Sequence, residues 1–148
     1  MSQPLLPEQF LPHRDDMLLL NDIISVTDSE SKARVTIEPT CAFFIAPHGV
    51  AACIGLEYMG QTAALIAGLS LQQGKEEPQI GFLLGSRLYT QTVDFFRPGQ
   101  QLIVHAVAGT VVGNQLANFN CTISDEDSQA VLCQGTLSVM KKPLTEQA

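Results

Sequence analysis

Residues 53–73 read CIGLEYMGQTAALIAGLSLQQ, and this run decides the fold. It is apolar on nearly every side and long enough for a helix of about 30 Å at ~1.5 Å per residue. A surface helix shows a polar face, so an all-round apolar one is expected to be buried. Advancing about 100° per residue sets Gly60, Ala63, Ala64, Ala67 and Gly68 on one stripe of small residues, where another backbone can come close. Tyr58, Leu65, Ile66 and Leu69 lie opposite. Glu57 is the single charge in the run, and it falls in the first turn on the flank of the small stripe, with Gln61 one turn later pointing the same way. A carboxylate drawn toward a core must be paired or hold its proton. The expectation is therefore a sheltered Glu57, steadied by Gln61. As a membrane span the run is a poor fit, with its glycines, glutamines and Glu57, and no second span accompanies it.

Outward from the helix, the chain alternates as strands do. Before it, MLLLNDIISV (17–26) reads as a strand interrupted at Asn21 and Asp22, and residues 27–31 as a polar turn. Lys32 to Glu38 alternates, with Ala33, Val35 and Ile37 on one face. Residues 40–52, TCAFFIAPHGVAA, read as a loop feeding the helix. After it, Gly74 is a plausible left-handed cap with Pro78 beyond. Four strands follow in hairpin sequence: 81–93, 101–112, 115–124 and 129–140. Their connections are the turn Arg97-Pro98-Gly99-Gln100, the tight signal Gly113-Asn114 and an acidic turn at 125–128. Ala117, Phe119, Cys121 and Ile123 form one inward row; Val131, Cys133, Gly135, Leu137 and Val139 form another. Lys141 onward reads as a tail, and Pro7 to Phe10 as a single helical turn ahead of a Leu11–Arg14 loop. The expected class is α+β, an antiparallel sheet wrapped around one long central helix, as a single domain over 1–148 with its core in about 8–140. One sheet wrapped on one helix leaves the sheet's other face, its edges and the helix mouth needing cover, and a dimer supplies it.

Composition sets the remaining limits. A net charge of −7 and scattered basic residues argue against nucleic acid as a partner. MSQPLLPEQF shows no basic leader ahead of an apolar run, so the expected location is the cytoplasm. Cys41, Cys53, Cys121 and Cys133 have no metal-binding spacing and read as reduced thiols. No metal and no cofactor is called for.

Three patches, in order, resemble one family. LPHRDDMLLLNDII (11–24), GLEYMGQ (55–61) and FFRPGQQL (95–102) are similar to the opening loop, the catalytic helix and the Arg-x-Pro region of hotdog-fold 3-hydroxyacyl-[acyl carrier protein] dehydratases. The likeness spans roughly 8–140, and the Glu-Tyr-Met-x-Gln variant is nearest the small dehydratase-like subunits of aryl polyene gene clusters. The resemblance implies a hotdog fold and the loss of water from a 3-hydroxyacyl thioester on an acyl carrier protein. It also implies a site built across a homodimer or a heterodimer with a second hotdog subunit.

On that resemblance His48 is the base, Glu57 the acid and Gln61 its support. Gly49, Ala52, Cys53 and Ile54 meet the substrate through backbone N–H groups at the helix start. The sequence departs from the family at one point. The Gly-His-Phe-Pro motif is absent, and His48 sits in Ala46-Pro47-His48-Gly49, nine positions before Glu57. A shortened loop that still delivers His48, and a subunit that leaves the histidine to its partner, are both open. A hotdog thioesterase is a third reading, since it too uses a carboxylate on this helix. His13 and His105 read as structural, and Arg97 as a solvated turn residue. Docking an acidic carrier protein would need a local basic patch, with Arg14, Arg87 and Arg97 as candidates.

Overall fold

The computed structural model describes residues 6–7, 18–72, 79–112 and 116–143. The Leu11–Arg14 loop with His13 and Arg14, the turn expected from Pro7 to Phe10 beyond Pro7 itself, the Gly74 cap and the Gly113-Asn114 turn lie outside these residues, as does the Arg87 side chain.

Strands β1 (Asp22–Val26), β2 (Glu30–Thr36), β5 (Gln79–Gln91), β7 (Gln101–Val112), β8 (Leu116–Asp125) and β9 (Val131–Pro143) form one sheet in the order β1-β2-β7-β8-β9-β5. All of these pairings are antiparallel. The helix α1 (Gly55–Gln72) packs on this sheet, entered through a 3-10 turn at Ala52–Ile54. A second sheet of three very short strands, β3 (Phe44–Ile45), β4 (Gly49–Ala51) and β6 (Phe95–Phe96), leads into that turn. The α+β class and the sheet around one helix are as expected.

Alternation placed most inward rows correctly, because a strand with one covered face must bury every second residue. Ala33, Val35 and Ile37 are buried, as are Ala117, Phe119, Cys121 and Ile123. Burial pushes the Cys121 thiol up to about 12, so it behaves as a small hydrophobe.

Five expectations are corrected. The first strand starts at Asp22, because the Asn21 side chain accepts the Thr36 N–H at 2.8 Å and Asn21 N–H bonds to Arg34 at 2.9 Å. The four later strands are not a simple hairpin series, since β5 pairs with β9 at one edge while β2 takes the place beside β7. Val131 faces out: a bulge opposite Ile123 and Ser124 turns both Leu132 and Cys133 inward. The loop at 40–52 contains the paired strands β3 and β4. The last strand runs on to Pro143, paired with Gln79, where a tail was expected.

Candidate functional site

The helix is buried on one face only. Tyr58, Met59, Thr62, Leu65 and Ile66 point into the core, where Tyr58 stacks on Phe96 at 5.9 Å between ring centres. Cys53 and Glu57 are exposed, and Leu56, Gly60, Ala64 and Ala67 are half-buried along the same side. A side chain added at Gly60 would meet nothing within 4 Å. The stripe therefore splits: Ala63 and Gly68 go inward, while Gly60, Ala64 and Ala67 form an open face. This corrects the reading of Glu57 as drawn into the core. An all-round apolar helix has no pattern to say which side meets the sheet, and here the bulky side does.

Gln61 is corrected as well. Its side chain is buried and its Oε1 accepts the Leu19 N–H at 2.9 Å, while Glu57 is exposed. Thr62, next in sequence, is tied to the sheet: the buried Ser31 hydroxyl donates to its carbonyl at 2.5 Å, and its own hydroxyl donates to the Tyr58 carbonyl at 2.8 Å. The bonds from Ser31 and Leu19 tie the helix to β2 and to the segment ahead of β1, the first of them fully buried, where unmade bonds are costly.

His48 sits on the tight turn between β3 and β4, with its N–H on the Ile45 carbonyl at 2.8 Å and its ring stacked on Phe95 at 5.1 Å. It is exposed. The two phenylalanines of β6 face opposite ways, as strand neighbours must. Phe95 thus backs the His48 ring, while Phe96 meets Tyr58 on the helix. Gly49 has a backbone task here. Its φ is +112°, and a Cβ would collide with the Phe96 carbonyl oxygen. Only glycine lets β4 lie this close to β6.

At the helix start the backbone donors are partly committed. Ala52 N–H bonds to the Asp94 carbonyl at 2.9 Å, and Gly55 N–H closes onto the Ala52 and Cys53 carbonyls. In a 3-10 turn beginning at Ala52, Ile54 is the first residue whose N–H can reach a carbonyl three residues back. That leaves the Cys53 N–H, on an exposed residue four positions before Glu57, as the donor at this end. Of the expected set of Gly49, Ala52, Cys53 and Ile54, the Ala52 N–H is thus already committed to the Asp94 carbonyl. Sequence reasoning passed over Tyr89. Its hydroxyl donates to the Ala52 carbonyl, and its place opposite Gly135 comes from a long-range strand pairing that leaves no signal in the sequence.

Arg97 is exposed on a turn in which Pro98 precedes Gly99 at φ +85°, and Gly99 N–H bonds to Ile37 at 2.7 Å. His105 lies 3.7 Å from Glu30 on the sheet, away from these residues.

Comparison with known proteins supplies the family. The dehydratase heterocomplex ApeI:P from Xenorhabdus doucetiae contains a chain 25% identical, with a TM-score of 0.83 over 99% of this chain and 95% of that one. Cj0977, a sigma28-regulated virulence protein of Campylobacter jejuni, shares the fold at 13% identity and TM-score 0.69, over 93% and 88% of the two chains. The PaaI protein of the E. coli phenylacetic acid degradation operon does so at 13% and 0.62, over 80% and 81%. Among curated protein sequences no relative matches. The fold is thus the hotdog fold. The model of the ApeP-like family, the ApeP dehydratases, matches residues 5–148, and the chain belongs to that family.

Proposed function

We propose that this chain is one half of a hotdog dehydratase that removes water from 3-hydroxyacyl thioesters carried on an acyl carrier protein. The products are 2-enoyl thioesters of fatty-acid or polyene type synthesis in the cytoplasm. The observation that carries the reading is the open face of α1. Glu57 stands there exposed, above the small, half-buried Gly60, Ala64 and Ala67 and just after the amino end of the helix, where another surface can come close. A second hotdog subunit laid on this face, identical or different, would take Glu57 out of water. Desolvation favours the neutral carboxyl, the form an acid needs.

The chemistry then divides as follows. A base removes the proton from C2, and the charge that develops on the thioester oxygen meets the Cys53 N–H at the helix start. Glu57 gives its proton to the C3 hydroxyl, which leaves as water as the C2–C3 double bond forms. His48 is this chain's own candidate for the base, held in orientation by Phe95. A second reading gives the base to the partner subunit, leaving this chain to supply Glu57 and the acyl groove. The missing Gly-His-Phe-Pro motif and the place of His48 on an exposed turn favour it.

The test gives a 3-hydroxybutyryl carrier-protein thioester to the chain alone and to its complex with a second hotdog subunit, with products read by mass spectrometry. Enoyl product from the complex, lost in Glu57→Gln, is the expected result. Loss in His48→Ala assigns the base here, and survival assigns it to the partner. Release of free thiol with no enoyl product replaces the dehydratase with a thioesterase.

A further inference from the structure

We infer that Tyr89 is a positioning residue for this chemistry: by holding the Ala52 carbonyl it fixes the 3-10 turn from which Cys53 presents its N–H to the substrate oxygen. The inference rests on the dehydratase reading above and adds a residue that touches neither substrate nor reacting atoms.

Tyr89 belongs to β5, on the far edge of the sheet from β1, yet its hydroxyl reaches across 37 positions of sequence to Ala52. Two glycines clear its path. Gly135, its partner across β9, is bare, and a Cβ there would fall 3.2 Å from Tyr89 Cδ1, 3.3 Å from the Leu88 carbonyl oxygen and 3.4 Å from Met59 Sδ. Gly55, the first residue of α1, is bare too; a Cβ would collide with the Tyr89 hydroxyl and come within 2.9 Å of Ile123 Cδ1. The ring therefore lies in a slot that runs from the sheet to the amino end of the helix.

Ala52 is consequently held on both sides, its carbonyl from the sheet by Tyr89 in addition to the Gly55 N–H within the turn, and its N–H by the Asp94 carbonyl at 2.9 Å. With the residue before Cys53 anchored at both its N–H and its carbonyl, the peptide that bears the Cys53 N–H cannot swing. The Tyr89 phenol is half-buried, and burial first and the neighbouring Cys133 thiol second push its pKa upward, so the hydroxyl stays a donor. A backbone donor works on a developing charge only if it is aimed before the charge arrives.

Tyr89→Phe keeps the ring in its slot and removes only the hydrogen bond. In the complex with the second hotdog subunit, turnover of the 3-hydroxybutyryl thioester should fall roughly 10- to 100-fold in kcat. KM should stay within about twofold, since the lost interaction acts in the transition state. Amide hydrogen exchange at residues 52–55 should quicken while exchange in β7 and β8 does not. Gly135→Ala, which pushes the ring from the opposite side, should change kcat in the same direction. Unchanged kcat in Tyr89→Phe, or a fall with no local change in exchange, overturns the inference. An inactive wild-type complex overturns the dehydratase reading itself, whereas an active wild type with an unimpaired Tyr89→Phe overturns the role of Tyr89 alone.

Discussion

The two faces of α1 share a backbone and little else. On the inner face Tyr58, Met59, Thr62, Leu65 and Ile66 are buried against the sheet, and hydrogen bonds from Ser31 and Leu19 anchor Thr62 and Gln61. On the outer face small residues lie beside an exposed carboxyl and the open end of the helix. The inner face has the large side chains that stability needs. The outer one has the bareness that lets another surface approach closely. Stability and activity should therefore respond separately to changes on the two sides.

The largest effect expected is on the outer face. Glu57→Gln should cut turnover of the two-subunit complex by about 10²- to 10⁴-fold, while its unfolding free energy in urea stays within about 0.5 kcal/mol of wild type. Equal losses in both would erase the contrast. The inner-face counterpart is Leu65→Ala, which should cost about 2–5 kcal/mol of stability by denaturant titration. Smaller still is Gly60→Ala. In the isolated chain the added methyl meets open space and improves helix propensity, for a gain of up to about 1 kcal/mol. In the complex the same methyl should weaken association, measured by calorimetry, because it stands where the proposed partner would come close.

The smallest effect lies away from the helix and serves as a control. Arg34 donates to both Glu126 oxygens, at 2.8 and 2.9 Å, and to Asp22 at 3.2 Å. The hydrogen bond to Arg34 holds the Glu126 carboxyl below its usual range, against a smaller opposing push from desolvation. The depressed value means this stabilisation is present above the unfolded pKa, about 4.5, and is lost as the pH falls through the folded value. Glu126→Gln should flatten the acid side of the stability profile slightly and leave turnover unchanged.

What the sequence disclosed follows from period and length. The strand bounds at 101–112 and the rows of β2 and β8 were legible because one-sided burial writes a two-residue period. Strands of two or three residues, such as β3, β4 and β6, are too short to write any period. The pairing of β5 with β9 is a long-range choice with no local mark, and the bulge at Leu132 shifts phase without a glycine to announce it. For the site, the sequence could offer Glu57 and His48 as candidates by likeness. It could not orient Glu57, because a helix apolar all round leaves its rotation to tertiary packing. Nor could it give Tyr89 a purpose, since the space Tyr89 fills is left by Gly55 and Gly135, which lie on different elements.

The neighbouring anchors at Gln61 and Thr62 constrain how this molecule can adapt. Sliding α1 along its own axis like a piston would break the bonds to Leu19 and Ser31 together, in an interior where each broken bond costs about 1–3 kcal/mol. On the proposed dehydratase reading, acyl chains of different length would be accommodated by rearranging the outer surface and whatever sits on it, while the rod beneath keeps its station.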